Sequence, residues 1–266
     1  MRLLKVFLLL LAAGVPAGPA AADVTIKEAV SKKAGAEKVQ AERTIFVRGL
    51  SMRVDARRGD KSQSTIYDAA SGRIILLNPG KRSAEIHDAA ATSTDVERKL
   101  PSSRVSAQLT PTGQAKELMG VLCEEYAFVV TAPIDVKSEV LFSLRGTVWI
   151  ARQAPGLEDY LSFSRAALKA QFVFGDFESK SAVLALVRGQ TELYRRVAAL
   201  GGVPYAIDLA FKFDGTGMAI GLANKMASGT TYTAATTVDT RALPDDLFTI
   251  PQGWTTTTKS PKGGER

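Results

Sequence analysis

Two long stretches of this chain alternate apolar and polar residues with a period of two, and the stretch between them does not. Tyr205, Ile207, Leu209, Phe211 and Phe213 alternate with Ala206, Asp208, Ala210 and Lys212. Val140, Phe142, Leu144, Val148 and Ile150 fall on one face of residues 140–151. Ser143, Arg145 and Thr147 fall on the other, where Trp149 is the apolar exception. Successive side chains of a strand point to opposite faces, so both patterns describe strands with one buried face. After Pro155-Gly156 the period changes. Leu157, Tyr160, Leu161, Ser164, Leu168 and Phe172 keep the spacing of one helical face. A second stripe (Val183, Leu186, Val187, Leu193, Tyr194, Val197, Leu200) predicts a helix over 181–200, ended by Gly201-Gly202. Gly189 falls inside that helix, at a cost of about 1 kcal/mol relative to alanine.

The rest of the chain reads as further short strands. Val24, Ile26 and Val30 alternate with polar neighbours, and a turn over 32–38 leads to a return strand at 44–47. Strands follow at 50–56, 65–67, 73–78 and 83–87, with turns at 68–72 and at Asn78-Pro79-Gly80-Lys81. Residues 94–100 allow one helical turn. Tyr126, Phe128 and Val130 share a face, and 218–222 and 230–238 read as strands after the Asp214-Gly215-Thr216-Gly217 turn. Strands, then two helices, then strands predict an α+β fold: one curved antiparallel sheet with helices packed on one face. Helices do not alternate with strands, which excludes a parallel doubly wound sheet, and no fixed-period repeat suggests a propeller or solenoid.

Residues 1–22 carry Arg2 and Lys5, an apolar run and the small-residue site Ala20-Ala21-Ala22, the layout of a secretory signal peptide cleaved after Ala22. The expected organisation is a signal peptide at 1–22, a single domain at 23–254 and a disordered tail at 255–266. The expected location is the periplasm. No cysteine stands at the cleavage site for lipid attachment. The net charge is +7, from 34 Lys and Arg against 27 Asp and Glu. The cations are dispersed as Arg57-Arg58, Lys61, Lys81-Arg82 and Arg195-Arg196, which reads as a solvated surface with anionic lipid headgroups as the alternative contact. Basic residues do not interleave with aromatics, so nucleic acid is not an expected partner. Cys123, the one cysteine, can form no internal disulfide and reads as a buried thiol in the run Val121-Leu122-Cys123.

Several segments together resemble a known family. They are residues 109–130 (LTPTGQAKELMGVLCEEYAFVV), 147–151, 243–254 (LPDDLFTIPQGW), Met52-Arg53-Val54-Asp55, and Asp68 to Lys81 with Gly72-Arg73 and Leu77-Asn78-Pro79-Gly80-Lys81. The chain resembles a bacterial exported family with a domain of unknown function, related to the LolA-type lipoprotein-carrier fold. That resemblance implies a half-open antiparallel barrel whose concave apolar face is closed by helices. The helical stretch at 157–200 is longer than the family pattern.

Catalytic constellations are missing. His87 is the only histidine, and no HExxH, paired-cysteine or GxSxG spacing occurs. Glu124 and Glu125 are adjacent on a strand and point to opposite faces, so they cannot act as a carboxylate pair. No enzyme, metal or cofactor is therefore expected. The candidate ligand-binding residues are apolar: Phe142, Val148, Ile150, Leu161, Tyr205, Ile207, Leu209 and Phe211. They line either a cavity or an ordinary core. Two functions follow. One is a non-enzymatic periplasmic carrier or chaperone for an acyl chain, lipid or other apolar ligand. The other is a closed structural or interaction module of the envelope without a small ligand. The implied partners are a lipid or acyl group and an envelope protein, with no membrane span after cleavage.

Overall fold

The computed structural model describes residues 23–34, 37–134, 139–174, 182–216 and 218–259. The expected signal peptide lies outside these residues, as do 260–266. Among the described residues one open sheet of twelve strands runs in the order β12-β6-β5-β4-β3-β2-β1-β11-β10-β9-β8-β7. The first wing is a meander: β1 (Val24–Ala34), β2 (Glu37–Arg48), β3 (Ser51–Arg58), β4 (Lys61–Asp68), β5 (Arg73–Asn78) and β6 (Ser83–Asp88). The second wing holds β7 (Ser106–Leu118), β8 (Val121–Pro133), β9 (Leu141–Ala151), β10 (Val203–Asp214) and β11 (Gly229–Asp239). Antiparallel pairing of β1 with β11 joins the two wings. A sheet this wide must curl to bury a face. It does so around α2 (Leu157–Lys169): Ile74 and Leu76 of β5 share one buried cluster with Cys123 of β8, through Tyr160, Phe163 and Ala167 of α2.

Helix α3 (Ala182–Ala199) lies across β7, β8, β9 and β10, and α1 (Ala89–Lys99) packs on β6. The single turn expected at 94–100 is thus three turns long. Asp88 caps it, its carboxylate accepting the Ala91 N–H at 2.7 Å. Its buried side is Ala89, Ser93 and Val96, too small and polar to register as an apolar stripe. The strand expected at 218–222 is instead helix α4 (Met218–Ala227). Met, Ala and Leu favour helix there. The Asn224 amide also clasps the β10 backbone, accepting from Phe213 N–H at 2.8 Å and donating to its carbonyl at 2.7 Å.

Continuous apolar sequence in β5, Ile74-Ile75-Leu76-Leu77, reflects burial on both faces. On the convex side Ile66, Ile75, Leu77 and Ala84 form a cluster covered by Ile250 and Trp254. The covering segment begins with a 3₁₀ turn at Asp245–Phe248. Arg48 Nη1 donates to Asp245 at 2.6 Å and its guanidinium stacks 4.9 Å from the Phe248 ring centroid. Arg53 donates to the Leu247 carbonyl at 2.9 Å. The segment then runs into β12 (Thr255–Lys259), paired parallel with β6. The expectation of a disordered tail is therefore corrected for 255–259. All five residues are exposed, so no periodicity marks them. The threonine run still suits a strand, and the open edge of β6 supplies its partner.

Candidate ligand-binding site

The sequence placed the candidate cavity on the β9–β10 face. Six of its residues, Phe142, Val148, Ile150, Ile207, Leu209 and Phe211, do come together in one apolar cluster. Phe142, Val148 and Ile150 are buried, while Ile207, Leu209 and Phe211 are half-buried. Helix α3 covers this cluster. Gly189 explains how closely: a Cβ there would sit 3.1 Å from Leu144 Cδ1 and 3.5 Å from Val130 Cγ1. The mid-helix glycine lets α3 lie directly on β8 and β9. Phe142 is 6.2 Å from Phe211 and 5.7 Å from Phe213, centroid to centroid. Tyr205 goes elsewhere. A register shift between Pro204 and Ala206 interrupts the alternation, and Tyr205 joins the α2 cluster with Phe163 and Cys123. Leu161 is buried on α2 and belongs to neither group.

The opposite wing keeps its concave face open. The register places Ala56 of β3 opposite Arg43 of β2 and Gln63 of β4, and Leu76 of β5 opposite Glu85 of β6. Ala41, Ala56, Gln63, Leu76 and Glu85 line a trough of about 620 Å³. Toward α2 the same face carries Val47, Met52, Tyr67 and Ile74, all buried. Away from it the inward residues shrink to Ala41 and Ala56, and Ala56 and Gln63 are exposed. The hairpin ends form the rim: Arg57, Arg58, Asp60 and Lys61 from the β3–β4 turn, Asn78, Gly80 and Lys81 from the β5–β6 turn. Gly59, at φ +59°, supplies the left-handed residue the first turn needs. Cations that look dispersed in sequence are thus gathered at one mouth, four against two acids.

A buried ion pair adjoins the trough, since Arg43 is registered opposite Ala56. Arg43 pairs with Glu28 of β1, which is buried. Burial opposes the Arg43 charge, yet Glu28 outweighs it and raises the guanidinium further. Burial pushes the neighbouring Tyr160 phenol well above its usual value. Tyr194 of α3 donates to Ser164 Oγ at 2.8 Å, and burial raises it to about 12. Tyr194 also stacks on Phe174, centroids 4.0 Å apart, and Phe174 meets Tyr67 at 5.2 Å. These phenols stay neutral at physiological pH, so the core beneath α2 is aromatic with one compensated ion pair.

Among the described residues no group of three or more His, Cys, Asp or Glu side chains gathers to hold a metal ion. Cys123 is buried, and desolvation raises its thiol. Glu124 is held below the usual carboxylate range by Tyr126 and Arg152. Sequence reasoning missed the trough because its floor is small rather than apolar-rich. The step from Ile45 to Ala41 and from Val54 to Ala56 along inward positions was the available signal.

No protein-family profile matches the chain, and no curated protein matches it by sequence. Some solved structures are distantly similar to it. The PNGF-II structure is 9% identical, covering 89% of this chain and 31% of that one, with a TM-score of 0.38. An uncharacterized conserved protein from Thermus thermophilus is 8% identical over 90% of this chain and 92% of its own, with a TM-score of 0.37. A LolA superfamily protein from Nitrosomonas europaea is 8% identical over 86% and 91%, with a TM-score of 0.31. Likenesses this distant say nothing about what this chain binds.

Proposed function

We propose that this chain is a non-enzymatic envelope protein that carries an acyl chain or lipid, with the β2–β6 trough as its binding face. One observation carries this reading: an uncovered concave face whose small floor adjoins the aromatic core and whose mouth is cationic. An amphipathic anion fits both ends, its chain against Ala41, Ala56 and Leu76 and its charged end among Arg57, Arg58, Lys61 and Lys81. The volume lies within the range of ligand pockets. Among the described residues no helix is long and apolar enough to cross a membrane. Export through the expected signal peptide would place the protein in the periplasm.

Titration with a fluorescent fatty acid tests the reading. Wild-type protein should bind saturably. Ala56→Trp should weaken binding at least tenfold and shift stability by less than about 1 kcal/mol, because the position is exposed. Equal binding in Ala56→Trp would move the ligand elsewhere. The second reading, a closed envelope module, is favoured by the packing of α3 on the β8–β10 face. Absence of any probe binding by the wild type would select it.

A further inference from the structure

We propose that the notch between α1, the turn after α2 and α3 binds a small oxyanion, a phosphate or carboxylate group, through Arg188 and Arg195. The notch has a volume of about 560 Å³ and is separate from the trough. Three guanidinium groups line it (Arg98, Arg188 and Arg195) against one carboxylate, Glu97. Arg188 is 3% exposed. A guanidinium has five N–H donors, and a buried one needs them matched. Glu97 forms an ion pair with Nη2, yet among the described residues neither Nε nor Nη2 makes a hydrogen bond. Arg98 is already engaged by Asp95 at 2.6 Å. Glu192, on α3, pairs with Arg196 rather than Arg195. Arg195 makes no ion pair among the described residues; burial disfavours the charge on Arg188 first, Arg195 adds to that, and Glu192 works against it. Bringing like charges together at a buried donor is unfavourable on its own and favourable around an anion. Planar guanidinium donors suit the geometry of phosphate and carboxylate oxygens. Ser93, Thr94 and Gln171, also in the lining, can add neutral hydrogen bonds. This inference rests on the notch alone and stands whether or not the trough holds a lipid.

The oxyanion could be free or carried on a lipid headgroup, so the test has two arms, each run at fixed ionic strength. In the first, inorganic phosphate is titrated against chloride by calorimetry, with melting followed in parallel. In the second, binding to phosphatidylcholine vesicles is compared with and without phosphatidylglycerol. Wild-type protein should respond saturably in at least one arm, and the responding arm identifies the source. Arg195→Ala should weaken that response roughly tenfold or more, as expected for a charge-assisted contact. Arg196→Ala, one residue along and outside the notch lining, should behave as wild type. Arg188→Met removes the buried donor itself; because it can also perturb folding, Arg195→Ala decides the matter. No response in either arm, or an unchanged response in Arg195→Ala, would overturn the proposal.

Discussion

The two wings of the sheet are built from the same alternation and end in opposite states. On the β7–β10 wing inward positions carry Phe128, Phe142, Leu144 and Val148, and α3 lies on them through Gly189. On the β2–β6 wing the same kind of position carries Ala41, Ala56 and Gln63 beyond the reach of α2, and the face stays open. A large inward side chain needs a cover to leave water, while a small one gains little from being covered. The contrast shows that the covering helix, rather than the alternation, decides whether a concave face becomes core or binding surface.

The largest expected effect lies at the centre of the covered wing. Leu144 is fully buried and touches the plane where α3 meets the sheet. Leu144→Ala should cost about 2–5 kcal/mol of unfolding free energy, read from urea denaturation. A loss below about 1 kcal/mol would mean that α3 does not seal this face, and the comparison between wings would break. Leu209→Trp probes the edge of the same cluster, where Leu209 is half-buried and Gly146 of β9 is its registered partner. Overpacking should cost about 1–3 kcal/mol and leave fatty-acid binding unchanged. Loss of binding with stability retained would instead return the ligand to the β9–β10 face.

Much of the fold was legible because it rests on period. The strands at 140–151 and 205–213 and the helices on either side of 175 follow from side-chain spacing alone. What escaped reading depends on partners distant in sequence. β12 needs the edge of β6, α4 needs the β10 backbone for Asn224, and the segment before β12 needs the convex cluster that Ile250 and Trp254 cover. The site was less legible still. Alternation reports that a face is buried somewhere and says nothing about which helix covers it, so it singled out the β9–β10 face and the trough went unseen. The cations at 57, 58, 61 and 81 become one group only when two hairpins end side by side. Tyr205 shows the same limit in miniature: its alternation is perfect in sequence, and one bulge sends it into another cluster.

The smallest effect gives the sharpest separation of the wings, because His87 is the chain's only histidine and lies on the open one. Burial holds it below the usual imidazole value. Glu85, with Oε2 3.7 Å from Nε2, works against that, and Lys259 of β12 adds to it. The unfolded chain takes up the proton first, near pH ~6.5. Folding stability should therefore be constant with respect to this group above that value and decline as pH falls through it toward the lower folded value. Urea midpoints between about pH 7.5 and 5.5 should show the decline in wild-type protein, and His87→Gln should remove it. An anionic ligand seated in the trough beside Glu85 would favour the imidazolium, so adding fatty acid should move the His87 titration, followed by its ring NMR signals, to higher pH. An unchanged titration with saturating ligand would place the bound charge away from β6 and toward the β3–β4 turn.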